Sequence, residues 1–235
     1  MIEFFFWTTP NGQKALIALE EMGLPYSLRP VNIAKGEQFA PDFLAVSPNN
    51  KIPAIRDTDP GDGGPPITIF ESGAILLYLA EKSGRLIPAD RRGRIEANEW
   101  LFWQVGGLGP MAGQNHHFAH YAPDKIPYAI DRYVTETGRL YGVLDRRLDG
   151  RAFILGDYSV ADIAAYPWIF DHGRQGQALE DFPNVRRWFA AVAARPAVRR
   201  AREIADGVNT APNVNAQSRS ILFGQAAPAA ARGTG

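Results

Sequence analysis

Hydrophobic and polar positions in the first third of the chain repeat with the periods of a mixed α/β fold. Short apolar runs predict four strands, at residues 2–7, 26–32, 52–56 and 67–70. Helical spacing of apolar residues between and after these runs predicts helices at about 12–22, 41–46 and 72–83. The order βαβ-α-ββα requires one parallel crossover and one antiparallel hairpin. We therefore predict a mixed α/β sheet for the first domain.

The strand pattern disappears after about residue 88, and the later apolar positions follow helical spacing. This predicts an all-helical second domain. We place the domains at residues 1–83 and 88–208, followed by a C-terminal extension at 209–235. The extension ends in small, weakly apolar residues from Gln225 onward, a composition that predicts disorder at its end.

Composition and charge narrow the classes of partner. The 235 residues include 25 lysines and arginines against 25 aspartates and glutamates, so no global basic field would attract nucleic acid or anionic lipid. No apolar stretch approaches the ~18 residues of a membrane span, and the N-terminus lacks the features of a signal peptide, so we expect a cytoplasmic protein. The chain contains no cysteine, which excludes thiolate metal sites and a cysteine nucleophile. Any thiol chemistry must therefore use a thiol that arrives with a small-molecule substrate.

Three segments carry a family resemblance, and they are Ser47–Ile55, Glu71–Ile75 and Tyr158–Ile163. The first resembles the loop before the cis-proline of the glutathione transferases. The second resembles their γ-glutamyl-binding turn, and the third resembles the capping motif of their helical domain. The resemblance covers roughly residues 1–205. It implies a thioredoxin-like N-terminal domain that binds glutathione, an all-helical C-terminal domain and a homodimer.

Further segments narrow the resemblance to one class, and they lie at 9–12, 106–114, 131–133 and 139–141. They resemble the nu class, which comprises glutathione-dependent disulfide-bond reductases related to Ure2-type proteins. The class implies an enzyme that uses glutathione, in its reduced or disulfide form, as co-substrate. Small-molecule thiols and disulfides are then the expected partners.

Glu71 and Ser72 open the predicted helix at 72–83. From the local sequence, Ser72 could equally be a helix N-cap, a role worth ~1 kcal/mol. The resemblance implies that the helix amides and the Ser72 hydroxyl hold the α-carboxylate of glutathione's γ-glutamyl group, as helix N-termini hold anions. Glu71 would then pair with the α-amino group. A zwitterionic head group satisfies both demands at once.

The loop before the third strand supplies further candidate contacts. An X-Pro bond is trans in most proteins, but the resemblance implies a cis bond between Ile52 and Pro53. The Ile52 backbone would then pair with the cysteinyl backbone of the tripeptide, and Lys51 and Gln38 would contact its glycyl carboxylate.

Arg132 could be an ordinary solvated arginine, but the nu class implies that it reaches a glutathione carboxylate, in its own or in a partner subunit.

Thr9 and Asn11 lie where the first strand meets the first helix. Locally they form a capping turn. Lowering the pKa of a thiol by two units from ~8.5 requires ~2.7 kcal/mol of preference for the thiolate. A helix N-terminus supplies about 0.3–1 kcal/mol, at most ~2, and a hydrogen bond to a charged group adds roughly 1.5–3. We therefore expect one or two donors, from the Thr9 hydroxyl or N–H and the Asn11 amide, to stabilise the thiolate.

Two other groups of polar residues receive structural interpretations. His116, His117 and His120 lack the HExxH spacing and an acidic ligand nearby, so we predict no metal. Asp162 follows Ser159 by three residues, the spacing of a capping box with Asp in place of Glu, so we assign it to helix capping.

The leading functional hypothesis is a disulfide reductase in which one glutathione thiolate attacks a disulfide and a second glutathione resolves the product. This consumes two glutathione equivalents per turnover. One alternative is a conventional transferase or peroxidase acting on electrophiles or hydroperoxides. Another is a non-catalytic glutathione-binding module, because fold alone does not fix activity.

Overall fold

A computed structural model of the chain describes residues 1–209 and 216–224. The chain divides into two compact units. The first comprises Met1–Lys82 together with the described residues from Arg200 onward, and the second comprises Ser83–Arg199.

The first unit is built on a four-stranded sheet. Its strands are β1 (Ile2–Phe6), β2 (Tyr26–Pro30), β3 (Ala54–Asp57) and β4 (Ile67–Phe70), in the spatial order β2-β1-β3-β4. β1 runs parallel to β2 and antiparallel to β3, and β3 runs antiparallel to β4. Ile2, Phe4 and Phe6 of the inner strand β1 are buried, as its alternating pattern requires. The predicted mixed sheet is confirmed.

Helices connect and flank these strands. They are α1 (Pro10–Met22), α2 (Pro41–Leu44) and α3 (Ser72–Ser83), with a 3₁₀ turn at Glu37–Phe39. α1 makes the crossover between the two parallel strands. It begins after Thr9, whose Oγ1 accepts a hydrogen bond of 3.1 Å from the Gly12 N–H, and it ends at Gly23 in the left-handed conformation.

The described residues of the second unit form helices, with isolated bridges between residues 153 and 157. The helices are α4 (Arg91–Trp103), α5 (Gly109–His116), α6 (Pro127–Arg147), α7 (Val160–Ile169) and α8 (Pro183–Ala193). π-helical turns at Gln104–Leu108 and His117–Tyr121 precede and follow α5. This confirms the all-helical prediction for the domain.

Asp162 holds the start of α7 to the core of the second unit. Its carboxylate accepts hydrogen bonds from the Ser159 N–H at 3.0 Å, the Ile154 N–H at 2.9 Å and the Trp188 Nε1 at 2.8 Å. Burial raises the pKa of Asp162 to about 6, although these hydrogen bonds oppose the rise. The capping box expected from the sequence spacing is present.

Two helices follow, α9 (Pro196–Val208) and α10 (Ala216–Gly224). The boundary between the units falls within α9, and the part of this helix from Arg200 onward groups with the first unit. The apolar pattern of the sequence does not predict α10. The segment from Gln225 for which the composition predicts disorder lies outside the described residues. In the part of the chain that the structure describes, no helix is long and apolar enough to cross a bilayer.

Candidate functional site

A cavity of about 280 Å³ opens in the first unit, beside the N-termini of α1 and α3. Of the described residues, those that line it are Asn11, Ser47, Asn49, Lys51, Ile52, Pro53, Phe70, Glu71 and Ser72. Candidate residues from three separate stretches of sequence therefore meet in one cavity. They come from the start of α1, from the loop before β3 and from the turn between β4 and α3.

The turn between β4 and α3 places Glu71 and Ser72. Glu71 has a φ of 71°, in the left-handed region that costs a residue with a Cβ of order 1–3 kcal/mol. Its carbonyl accepts a hydrogen bond of 2.9 Å from the Ile75 N–H, so Glu71 occupies the capping position of α3. Ser72 is the first helical residue and is buried, at 6% exposure. The interpretation of Ser72 as the helix N-cap is therefore wrong by one position.

The loop before β3 carries a cis peptide bond between Ile52 and Pro53, as the resemblance implies. Ser47 fixes the loop from within, because its Oγ donates a hydrogen bond of 2.8 Å to the Lys51 carbonyl. Partial burial lowers the pKa of Lys51. Its side chain lines the same cavity as Glu71, so a cation and an anion are available to a zwitterionic ligand.

The turn into α1 places Asn11 on the cavity wall and Thr9 at the cap. The Thr9 N–H donates to the Trp7 carbonyl at 2.8 Å, so of the two Thr9 donors considered from sequence only the hydroxyl remains for a ligand. Thr9 is not among the described residues that line the cavity. A Cβ at Gly12 would lie 2.2 Å from the Trp7 carbonyl, so this close turn requires glycine.

Lys14 lies directly behind the cavity wall, in contact with Ser72, and it was not predicted as a site residue from sequence. It is 1% exposed, and its Nζ donates a hydrogen bond of 3.2 Å to the Ser72 Oγ. Burial lowers the pKa of Lys14 to about 7, and the attraction of Glu71 opposes this decrease. The sequence signal that could have identified Lys14 is its position in the helix. Lys14 is spaced four residues before Ala18 and eight before Met22, within the apolar stripe of α1, where a lysine is rarely buried without a role.

Two candidate residues have other surroundings. Gln38 lies in the 3₁₀ turn, is 6% exposed, and is not among the described residues lining the cavity; its Oε1 has no hydrogen-bond partner there. Arg132 belongs to the second unit, where its side chain on α6 is 57% exposed and lies 3.8 Å from Glu136. This pairing is what the solvated-arginine interpretation predicts, and the role of Arg132 toward glutathione stays a prediction.

The histidines of the second unit serve different local contacts. Burial lowers the pKa of His116, whose Nε2 is buried. The His120 Nε2 instead lies 2.6 Å from the Arg174 carbonyl. Among the residues that the structure describes, no group of three or more histidines and carboxylates has a metal-binding arrangement.

Comparison with known proteins identifies the family. The model of the glutathione S-transferase N-terminal domain matches residues 8–82, and that of the glutathione S-transferase C-terminal domain matches residues 112–196. The chain belongs to the glutathione S-transferase family. It is 54% identical over 198 residues to the disulfide-bond oxidoreductase YfcG of Escherichia coli (strain K12), which covers 84% of this chain and 92% of that protein.

Solved structures agree with this assignment. A glutathione transferase from Burkholderia graminis, with two glutathione molecules bound per subunit, matches with a TM-score of 0.82 and 46% identity over 91% of this chain and 89% of that one. A glutathione transferase from Pseudomonas putida, with one glutathione disulfide bound per subunit, matches with a TM-score of 0.81 and 43% identity over 86% of this chain and 91% of that one. The thioredoxin-like N-terminal domain and the helical C-terminal domain are thus those of the family.

Proposed function

We propose that this chain is a glutathione-dependent disulfide-bond reductase. The observation that carries the proposal is the meeting of Asn11, the Ile52–Pro53 cis bond and the Glu71–Ser72 turn in one cavity of a chain without cysteine. The name of the Escherichia coli relative, a disulfide-bond oxidoreductase, supports the same reaction.

The cavity suits an extended tripeptide with charges at both ends. We assign the γ-glutamyl head to Glu71 and Ser72, because a zwitterion brings an ammonium for the carboxylate and a carboxylate for the helix N-terminus. The cysteinyl backbone would pair with Ile52, and the glycyl carboxylate would lie toward Lys51. Gln38, from the 3₁₀ turn before α2, and Arg132 stay predictions as further carboxylate contacts.

The thiol of the bound tripeptide is placed toward Asn11. Asn11 is the second residue of α1, so the helix N-terminus and the side-chain amide act on the same sulfur. Their combined effect, about 2–4 kcal/mol for a dipole and one charge-assisted hydrogen bond, is enough to lower a thiol pKa by roughly two units. The Thr9 hydroxyl is the second candidate donor. Neither residue can act as a base, so their role is to stabilise the thiolate.

The reaction is a pair of thiol–disulfide exchanges. The thiolate of the first glutathione attacks one sulfur of the substrate, forming a mixed disulfide and releasing a substrate thiolate, which takes a proton from solvent. A second glutathione thiolate attacks the glutathione sulfur of the mixed disulfide, releasing the other substrate thiolate and forming glutathione disulfide. The related structures with two glutathione molecules and with glutathione disulfide support this stoichiometry.

A direct comparison of two reactions tests the proposal. With glutathione present, the protein is expected to reduce hydroxyethyl disulfide well above the uncatalysed rate and to conjugate an aryl chloride slowly. Preferential conjugation would favour the transferase, and turnover of neither substrate would favour a binding module. The Ser72→Ala variant serves as the control, because both reactions should lose rate if they use this cavity.

We also expect a homodimer in the cytoplasm. On α4, Ile95 and Phe102 are 50% and 67% exposed and lie seven residues apart on one helix face, which is typical of a protein interface. Light scattering after gel filtration tests the dimer. The expected partners remain small-molecule thiols and disulfides, with no role for nucleic acid or a membrane.

A further inference from the structure

Lys14 is a buried lysine in the first unit, and it contacts the first residue of α3. Its side chain extends from α1 to the first residue of α3, where the Nζ donates to the Ser72 Oγ at 3.2 Å, and it is 1% exposed. Burying an ammonium group is costly unless it is compensated by a charge or by hydrogen bonds. An anion that binds next to the Ser72 hydroxyl would therefore stabilise the ammonium form of Lys14.

Glu71 and Ser72 connect Lys14 with the cavity, because both line it. Glu71, on the turn before α3, attracts Lys14 but has an exposed side chain. The lysine that lines the cavity, Lys51, comes from the loop before β3. In the proposed binding mode, the α-amino group of glutathione takes the charge of Glu71. The ligand's α-carboxylate then meets Ser72, which already accepts the hydrogen bond from Lys14.

The hydrogen-bond directions make a continuous chain. The Lys14 Nζ donates to the lone pair of the Ser72 Oγ, so the serine hydroxyl keeps its proton for a ligand carboxylate. Each donor in such a chain polarises the next, which strengthens both bonds.

We propose that Lys14 is the buried positioning residue of the γ-glutamyl site, that its ammonium directs the Ser72 hydroxyl toward the ligand's α-carboxylate, and that binding of this carboxylate draws a proton onto Lys14. The inference rests on the proposed function, because it requires glutathione in this cavity.

The acid–base state of the free protein supports the proton uptake. Burial lowers the pKa of Lys14 to about 7, so a large fraction of the free molecules carries a neutral amine at neutral pH. A carboxylate near the group favours the ammonium and raises its pKa. Ligand affinity then decreases as the pH rises above 7, by up to about tenfold per pH unit until the pKa of the complex is reached.

Calorimetry of S-methylglutathione binding tests the inference, since a thioether has no thiol proton to release. Titrations at pH 7.5 in buffers of different ionisation enthalpy give the number of protons exchanged. We expect the wild-type protein to take up about half a proton or more per ligand. Lys14→Met should lose this uptake, bind about tenfold or more weakly at pH 6, and show a flat pH profile.

Two further variants separate charge from structure. Lys51→Met should keep the proton uptake, which excludes the lysine that lines the cavity as its source. Lys14→Arg holds its charge at every accessible pH, so it should restore part of the affinity without restoring the pH dependence. Thermal unfolding confirms that each variant is folded.

The outcomes distinguish this inference from the proposed function. If the wild-type protein binds S-methylglutathione but Lys14→Met shows the same proton uptake and pH profile, Lys14 has no such role while the glutathione site stands. If the wild-type protein does not bind S-methylglutathione, both the proposed glutathione site and the proposed role of Lys14 are wrong.

Discussion

The side-chain amide of Asn209 donates a hydrogen bond of 2.8 Å to the Thr8 Oγ1, across 201 residues of sequence. Thr8 precedes Thr9, the cap of α1, and Asn209 follows the last residue of α9. Within the first unit, the chain after α9 is therefore tied to the turn that presents Asn11. Local hydrogen bonds also hold the turn, since the Thr9 N–H donates to the Trp7 carbonyl and the Thr9 Oγ1 accepts from the Gly12 N–H. The bond from Asn209 adds a contact from outside the turn's own sequence neighbourhood.

Loss of the Asn209–Thr8 hydrogen bond should affect the position of the turn, and hence the catalytic rate, more than the stability of the fold. Asn209→Ala is expected to lower stability by about 1 kcal/mol, the usual net value of a hydrogen bond, and to lower disulfide reduction severalfold. Thr8→Val removes the other partner. Because each variant breaks the same bond, the double variant should cost less than the sum of the two single variants. Additive effects on rate would show that the Asn209–Thr8 bond does not position the turn.

The sequence predicts the sheet and the main helices well because their apolar periods reflect one buried face each. Strand β1 and helix α1 are examples, since an apolar run predicts the first, and helical spacing with cap residues at Thr9 and Gly23 predicts the second. The family resemblance adds the cis bond at Ile52–Pro53, which local composition would not predict.

What the sequence misses depends on contacts between distant residues. The position of Lys14 within the apolar stripe of α1 indicates burial, but its bond to Ser72, 58 residues away, depends on packing between separate elements and is not visible in a local pattern. The left-handed conformation of Glu71 is unexpected for a residue with a Cβ, and it shifts the start of α3 by one position relative to the N-cap interpretation. Helix α10 has its largest apolar residues, Ile221, Leu222 and Phe223, in succession, so it lacks a helical period.

Glu71 and Ser72 should matter for binding and little for folding. Each alanine variant removes one charge-assisted contact to the γ-glutamyl head, so we expect glutathione affinity to fall about tenfold or more, measured by calorimetry. Asp42→Ala, which removes an exposed carboxylate from the start of α2, is the matched control and should bind normally. Unchanged affinity in both Glu71→Ala and Ser72→Ala would remove the γ-glutamyl site from this turn.

The backbone of Glu71 offers a second measurement. Glycine tolerates a φ of 71°, whereas alanine keeps the strain, so Glu71→Gly should be more stable than Glu71→Ala by about 1 kcal/mol. Both should lose binding equally. Equal thermal stability of the two variants would mean that the turn relaxes when the glutamate is removed.

Asn11 should affect catalysis more than affinity, because its proposed role is to favour the thiolate. In Asn11→Ala, the pKa of bound glutathione's thiol should rise by roughly one to two units, the equivalent of one hydrogen bond to a charged group. The ultraviolet absorbance of the thiolate, followed in a pH titration, measures this directly. Asn49→Ala, which alters another side chain of the cavity wall, is the control. An unshifted thiol pKa in Asn11→Ala would leave Asn11 as a turn residue only.

The buried Lys14 ammonium should destabilise the folded protein at low pH. This direction of the pH dependence follows from the decreased pKa of Lys14. The pKa falls from 10.5 in the unfolded chain to about 7 in the folded protein, so the unfolded state holds the proton more tightly. Below pH 7 both states are protonated and the folded state carries the full penalty of the buried ammonium, on the order of 5 kcal/mol. As the pH rises from 7 to 10.5 the folded protein is already neutral, and the penalty declines.

Replacing the lysine by an uncharged side chain of similar length removes that penalty. Lys14→Met should therefore raise the unfolding temperature at pH 6, with a gain that shrinks at pH 7.5 and again at pH 9. Lys35→Met replaces an exposed lysine of the same unit and should show no such trend. A protein that loses glutathione affinity while gaining stability at pH 6 would show that the charge is kept for the ligand, because a residue retained for the fold would do the reverse. A Lys14→Met variant that is destabilised equally at every pH would contradict the buried ammonium.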